Sequence, residues 1–406
     1  MAILILHKPQ NFSSDYFQWL RELGTELVVF TANPSFKSKE AYYLVKFFVD
    51  YDDSNLVELE AIELNKSCHF THVIALYEED IIRAARIREY LGIEGQNYKS
   101  AIAYRNKVAM KNHLASTSIN VPFYKELESS LDLVDFVSLN NYPVVIKPIS
   151  GSSGTDTTII KNKEQLHDYL AHEKLQGKMV ESFVKGQMYS VNGIYKDGNI
   201  VFCSVNKYEH GCLAFQNQEG DFITLISPTD KLFIRAKNLT NEIISYLPTP
   251  NAICFHCELF YSLEDNEFYF CEIASRPGGG RITASIHASY GIELYESTAR
   301  LLAGLPLTDN FSHNPSVLSA VYLIPKKRGV LLSVIHELPF DWVVEYTNRV
   351  RQGMKFIEGT SCMDIIGSVV FIADTYADLY NRYNLLLAYI NANIQWEYCC
   401  NGNESE

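Results

Sequence analysis

The sequence lacks any apolar run approaching the roughly 20 residues needed to cross a bilayer, so no membrane partner is expected. The apolar start, Met1-Ala-Ile-Leu-Ile-Leu6, is too short for the core of a secretory signal and is closed by His7, Lys8 and Pro9. A soluble, cytoplasmic chain is expected. Clustered positive charge is equally scarce. Lys326-Lys327-Arg328 is the one tight basic run, and 35 Lys and Arg face 48 Asp and Glu, for a formal charge of −13. That balance argues against a nucleic-acid partner, because binding a phosphate backbone needs grouped cations. The nine cysteines are odd in number and scattered, unlike a disulfide framework. Cys254 and Cys257 form one C-x-x-C spacing with no second pair to complete a zinc site. On a strand they face opposite ways, so both are expected in cores. Cys399 and Cys400 adjoin a polar tail, 401–406, that is expected to fray. No G-x-G-x-x-G follows the first apolar segment, which argues against a dinucleotide site there.

What is present is ordinary globular composition, 47% apolar and 20% charged, over 406 residues, enough for several domains. In the first hundred residues, strand-like runs (3–6, 27–30, 72–76) alternate with amphipathic helical stretches (16–23, 81–91). Such alternation predicts a doubly wound parallel sheet. Further on, the pattern becomes strand-rich. Lys196-Asp-Gly-Asn199 and Leu263-Glu-Asp-Asn266 read as hairpin turns, and helices are predicted over 106–114, 164–171, 282–290, 292–302 and 376–390. The fold class expected is a multidomain α/β and α+β chain, with units at 1–105, 106–306 and an α+β unit at 307–406, packed around one cleft.

The most informative segment is Tyr142-Pro-Val-Val-Ile-Lys-Pro-Ile-Ser-Gly-Ser-Ser-Gly-Thr155. A buried strand ends in Lys147, Pro148 stops it, and Ser150, Gly151, Ser152, Ser153, Gly154 and Thr155 form a small-residue loop. Glycines let backbone N–H groups approach an anion, hydroxyls add donors, and the lysine supplies charge, a set suited to phosphate oxygens. It reads equally as a surface turn after a lysine.

Glu258 and Glu272 lie on the two arms of the second hairpin, in otherwise apolar strands. Paired across it, two like charges call for a shared hard cation such as Mg²⁺; solvent-facing glutamates are the plain alternative. His256 shares the face of Glu258. Arg276-Pro-Gly-Gly-Gly-Arg281 joins a guanidinium to exposed backbone amides, an anion-binding combination or a helix-capping turn. Lys107 opens a helix, and Glu181 stands at a strand end before Ser182-Phe183-Val184, where backbone groups could meet an adenine edge.

The order of these features resembles the ATP-grasp superfamily, in particular its carboxylate–amine ligases of the L-amino-acid ligase and biotin carboxylase-like kind. The resemblance covers most of the chain and implies an ATP-grasp fold for 106–306, with a small lid at about 115–183. It implies ATP and Mg²⁺ (or Mn²⁺) as cofactors. Lys107 and Lys147 would hold the phosphates, with Ser150 to Thr155 closing over them. Glu181 and Ser182–Val184 would hold adenine, and Glu258 and Glu272 the metal. Arg276 would stabilise the transferred phosphoryl group, with Gly278, Gly279 and Gly280 shaping the carboxylate pocket and His256 beside the substrate. Two departures stand out. Ala274 occupies the place of a frequent metal-binding Asn, and Met188 that of a frequent ribose-binding Glu. The partners implied are a small carboxylate and a small amine or second amino acid, and a homodimer is an assembly the family adopts. Amino acid ligation onto a carrier protein, modification of a nucleotide precursor, and a catalytically inactive nucleotide-binding regulator are the alternatives.

Overall fold

The computed structural model describes residues 1–9, 14–36, 43–211, 219–307 and 311–397. Cys399, Cys400 and the tail 401–406 lie outside the described residues. The chain opens with strands β1 (Ala2–His7), β2 (Glu26–Thr31), β3 (Leu44–Phe47) and β4 (Phe70–Ala75), all parallel, in the order β3-β2-β1-β4. β1 is buried throughout, and its side chains alternate between two cores. Ala2, Leu4 and Leu6 meet Val57, Ala61 and Ala84 of the helices Leu56–Cys68 and Asp80–Leu91. Ile3 and Ile5 meet Leu20 from one side and Ala299 and Ala303 from the helical region Leu294–Leu302 and its cap. A strand covered on both faces therefore reads as a continuous apolar run. The second contact seats the parallel sheet against the rest of the chain.

A four-stranded antiparallel sheet follows: β5 (Tyr124–Glu126), β6 (Val144–Pro148), β7 (Thr158–Ile160) and β8 (Lys178–Ser182), in the order β5-β8-β6-β7. The helices Ser130–Asn140 and Lys163–His172 cover one face, where Val144, Ile146 and Val180 pack on Leu133, Phe136 and Leu166. The two-residue period turns Val145, Lys147 and Glu181 to the other face, which lines a cleft.

The largest sheet contains β9 (Gly186–Lys196), β10 (Asn199–Tyr208), β11 (Phe222–Ile226), β12 (Ala252–Ser262), β13 (Phe268–Ala274) and β14 (Leu318–Pro325). The chain then forms β15 (Gly329–Leu331), β16 (Val343–Asn348), β17 (Lys355–Phe356), β18 (Ile365–Ala373) and β19 (Trp396–Glu397). Eight strands are ordered β13-β12-β9-β10-β11-β14-β18-β16, and β17-β15-β19 make a small separate sheet. β11 pairs with β14, so the large sheet continues across residue 307. The β9–β10 turn has positive φ at Asp197 and Gly198, the geometry its sequence predicts. Cys254 and Cys257 are buried in different cores, on opposite faces of β12. The last two predicted helices run Leu294–Leu302 and Tyr376–Asn393; the helices Leu56–Cys68, Ser130–Asn140 and Lys231–Tyr246 were not anticipated from sequence. No described helix is long and apolar enough to cross a membrane.

Candidate active site

Three lysines gather from two elements, Lys107 and Lys147 lining the cleft and Lys111 buried behind it. The helix Lys107–Leu114 is capped by Asn106, whose side chain accepts from the Ala109 amide, and the Lys107 amide donates to Ile149 O (2.9 Å) just beyond β6. The helix start is thus tied to the strand end that carries Lys147. Lys107 Nζ donates to Gly151 O (2.9 Å) and pairs with Glu272 Oε2 (3.1 Å). One turn on, Lys111 is fully buried and reaches Glu181 Oε2 (3.3 Å). Lys147 Nζ lies 2.5 Å from Glu181 Oε1. Burial opposes the charge on Lys147, but Cys271, Glu181 and Glu272 more than offset it, and the ammonium is held above its usual range. The first role of Glu181 is therefore electrostatic: it holds two lysines in a dry site. Its Oε2 lacks an aligned hydrogen bond and keeps acceptor capacity. Ser182, Phe183 and Val184 line the cleft beside it.

Glu258 and Glu272 are direct cross-strand partners on β12 and β13. The register then slips, so that Leu259 pairs with Phe270. This β-bulge breaks the alternation of β13. Phe270 and Ile273 stay in the core, while Cys271 and Glu272 both turn to the cleft. Glu258, Cys271 and Glu272 offer ligand atoms within 4.8 Å of one another. The two carboxylates are hard oxygen donors beside lysines that suit phosphates, a set that fits Mg²⁺ or Mn²⁺; the thiol is too soft a donor to favour Mg²⁺. His256 lines the same wall, its Nδ1 2.6 Å from Asn192 Oδ1 and its Nε2 3.2 Å from Glu258 Oε1.

Arg276 lines the cleft and is ion-paired to Glu78, which lies just beyond β4 and also pairs with Arg105. Burial would raise the Glu78 carboxyl, but Arg276 and then Arg105 hold it down at about 2. Arg276 also donates to Pro277 O (2.8 Å). The glycines that follow divide the work. A Cβ on Gly278 would stand 2.5 Å from Asn192 Oδ1, so Gly278 packs beneath the site rather than lining it. Gly279 and Gly280 line the cleft, and Gly280 takes a left-handed φ of 57°.

The loop Gly151–Thr155 forms one rim of the cleft, while Ser150 is exposed and stands off its wall. The opposite rim comes from the C-terminal segment: the Cys362 amide and Ser361 Oγ both donate to Ser153 O, each at 3.1 Å. Asp221, just before β11, also lines the cleft, and burial, then the charge of Glu258, pushes its carboxyl up to about 7. Glu78, Lys111, Asn192, Asp221 and Cys271 were not anticipated from sequence. Only Lys111 carried a sequence signal, its i, i+4 spacing from Lys107.

The same stretch of chain finds a counterpart among known proteins. Residues 104–280 match the ATP-grasp domain family. This segment is an ATP-grasp domain. The chain is 25% identical over 261 residues to the L-arginine-specific L-amino acid ligase of Bacillus subtilis, covering 62% of each. It is 31% identical over 154 residues to a D-alanine–D-alanine ligase of Francisella philomiragia, covering 37% of this chain and 50% of that one. The matches thus span about half to three-fifths of the length of these relatives. In fold, the whole chain superposes on the crystal structure of L-amino acid ligase from Bacillus licheniformis with a TM-score of 0.79 at 18% identity, covering 98% and 99% of the two chains. The parallel sheet before the ATP-grasp domain and the strands after it share that superposition.

Proposed function

We propose that the chain is an ATP-dependent carboxylate–amine ligase that joins a small carboxylic acid, in the first place an amino acid, to an amine or second amino acid, releasing ADP and phosphate. The observation that carries this reading is the facing of Glu258 and Glu272 beneath a rim formed by Lys107, Lys147 and the Gly151–Thr155 loop. The amino-acid ligases among the relatives support the substrate class.

Lys107, Lys147 and the loop amides bind the ATP phosphates. The backbone of Ser182–Val184 meets the adenine edge, between the apolar walls of Val145, Ile159, Met188 and Phe260. Glu258 and Glu272 would hold Mg²⁺, which supplies charge neutralisation at the phosphate oxygens when bound. A substrate carboxylate oxygen attacks the γ-phosphorus as the bond to ADP breaks. Lys147 and Arg276 stabilise the charge spread over the transferring group, and an acyl phosphate results. The amine, in its neutral form, then attacks the acyl carbon, the C–O bond to phosphate breaks, and the nitrogen gives up its proton to the departing phosphate. The Ser153 rim contact with Ser361 and Cys362 excludes water that would hydrolyse the intermediate.

Met188 faces the cleft without a polar atom to accept from ribose, and Gln187 donates to Tyr208 O instead. Ala274 leaves the two glutamates as the carboxylate ligands. These two departures favour one second reading, a nucleotide-binding regulator without turnover. A carrier-protein acceptor draws no support from the names of the relatives. The test is phosphate release from ATP and Mg²⁺ across pairs of amino acids, with mass spectrometry of every positive. A new amide mass establishes the ligase; ATP binding without phosphate release from any pair favours the regulator over a ligase of amino acids.

A further inference from the structure

Among the described residues, the charged groups that line the cleft have side-chain partners, with one exception. Glu272 pairs with Lys107, Glu181 with Lys147 and Lys111, Arg276 with Glu78, and Glu258 faces His256. Asp221 forms no ion pair among the described residues. Asp221 is buried, with 6% of the residue exposed, and its Oδ1 has no hydrogen-bond partner among the described residues. Nor can a cation come from the adjoining segment, since residues 212–218 include no Lys, Arg or His.

The position is rigidly built. The carbonyl of Asp221 accepts from the Leu323 amide (2.9 Å), pinning it to β14. Phe222 points the other way and stacks on Tyr383 at 3.8 Å between ring centroids. Alternation then directs Asp221 and Ile223 into the cleft, where Tyr208, Leu323, Cys362 and Met363 surround them. A buried carboxylate without a counter-ion is unfavourable by several kcal/mol, a deficit that an incoming cation removes. The Asp221 carboxylate lies outside the cluster of Glu258, Cys271 and Glu272, whose ligand atoms fall within 4.8 Å of one another, so a metal held there would not be its direct counter-ion.

From this geometry we infer that Asp221 is the ammonium subsite for the amine substrate. The inference rests on the ligase reading and deepens it. The carboxylate substrate must go to Lys147 and Arg276, and Asp221 repels its anion. The amine substrate brings the missing positive charge to the corner where Gly280 meets Ile223 and Leu323. The walls of Ile223, Leu323 and Met363 select an ammonium on an apolar or neutral body. They disfavour a phosphorylated acceptor, for which this corner offers no cation.

The experiment has two arms, each run on the full chain with Asp221→Asn and, as a second variant, Asp221→Ser. In the first, the best substrate pair from the amino-acid panel is used. The KM for the amine substrate should rise at least about thirtyfold in both variants, with the KM values for ATP and for the carboxylate substrate moving less than about threefold. A shift in the carboxylate-substrate KM or in the Mg²⁺ dependence, with the amine KM unchanged, would overturn the assignment. The second arm needs no turnover: the melting temperature is measured in methylammonium chloride against sodium chloride at equal ionic strength. Wild type should gain stability from methylammonium and the variants should not; an unchanged wild-type melting temperature would overturn the subsite. Failure to form any amide counts against the ligase reading, and the methylammonium arm then decides the subsite by itself.

Discussion

Glu78 and Arg276 form an ion pair across 198 residues of sequence, linking the end of the parallel sheet to the strand exit that follows Glu272. In the proposed ligase, the pair gives the parallel sheet a route to the reacting groups. Open parallel sheets offer their carboxyl ends to ligands, and here that end supplies a carboxylate that aims a guanidinium. Arg105 completes the arrangement from the segment between the two units.

Glu78→Gln should therefore lower kcat by about tenfold to a hundredfold while the KM for ATP stays nearly constant, because Arg276 loses its aim and the lysines do not. Steady-state kinetics check this. The same variant should flatten acid unfolding. The Glu78 carboxyl is held at about 2 in the folded chain, below its unfolded value near 4.5. Its stabilisation is fully present above the unfolded value and is lost as pH falls toward 2. The difference is about 3 kcal/mol, seen as a steeper loss of wild-type stability below pH 4.5 than in the variant.

Glu272→Gln and Glu258→Gln should each reduce turnover by about a hundredfold or more and raise the half-saturating Mg²⁺ concentration. Glu258 faces His256, so Glu258→Gln should move the melting temperature little, whereas Glu272→Gln also leaves the buried Lys107 without its carboxylate partner and should lower it. A magnesium titration of phosphate release, paired with a thermal melt, separates lost metal binding from lost folding. Retained magnesium dependence in both variants would remove the two glutamates from the metal site.

Much of this site was legible because its elements are regular. Lys147 ends a continuous apolar run, and Glu258 and Glu272 flank a turn of recognisable chemistry, so their convergence followed from strand geometry. Cys271 was hidden because a bulge defeats the alternation that would place it in the core. Glu78 was hidden for another reason: its partner is distant in sequence, and no local pattern encodes a long-range ion pair. Lys111 reads as the polar face of a short helix until Glu181 arrives from β8 to neutralise it. Asp221 reads as a loop aspartate, and only the packing of β11 against β14 buries it. The unanticipated helix Lys231–Tyr246 carries Lys237 and Glu242 among its apolar residues, and its buried face, Phe233, Ala236, Ile243 and Ile244, emerges only against β9 and β10.

Lys147→Ala should weaken ATP binding by about tenfold to a hundredfold, measured by calorimetry. It should also destabilise the fold by about 3 kcal/mol, because Glu181 is left with Lys111 alone in a buried site. The double variant Lys147→Ala with Glu181→Gln removes the unbalanced charge and should recover much of that stability. Its affinity for ATP should stay low. Recovery of both together would mean that Lys147 acts on the nucleotide only through the fold.

A last prediction concerns Asp80, which is fully buried at the start of the helix Asp80–Leu91. It accepts hydrogen bonds from Tyr51 Oη (2.9 Å) and the Lys8 amide (3.1 Å). Burial outweighs those bonds and pushes its carboxyl up to about 7, from about 3.8 when unfolded. The sign is opposite to that of Glu78. Between pH 4 and 7 the folded chain binds more protons at this site than the unfolded chain, so the contribution of Asp80 to stability falls as pH rises and is flat above about 7. The full swing is about 4 kcal/mol. Asp80→Asn keeps the shape and one acceptor while removing the charge. Urea unfolding of both proteins from pH 4 to 8 should show the variant gaining on wild type steadily up to pH 7 and no further. A constant difference across that range would mean that Asp80 is already ionised in the folded chain at pH 4, with the Tyr51 and Lys8 bonds sufficient to hold its charge.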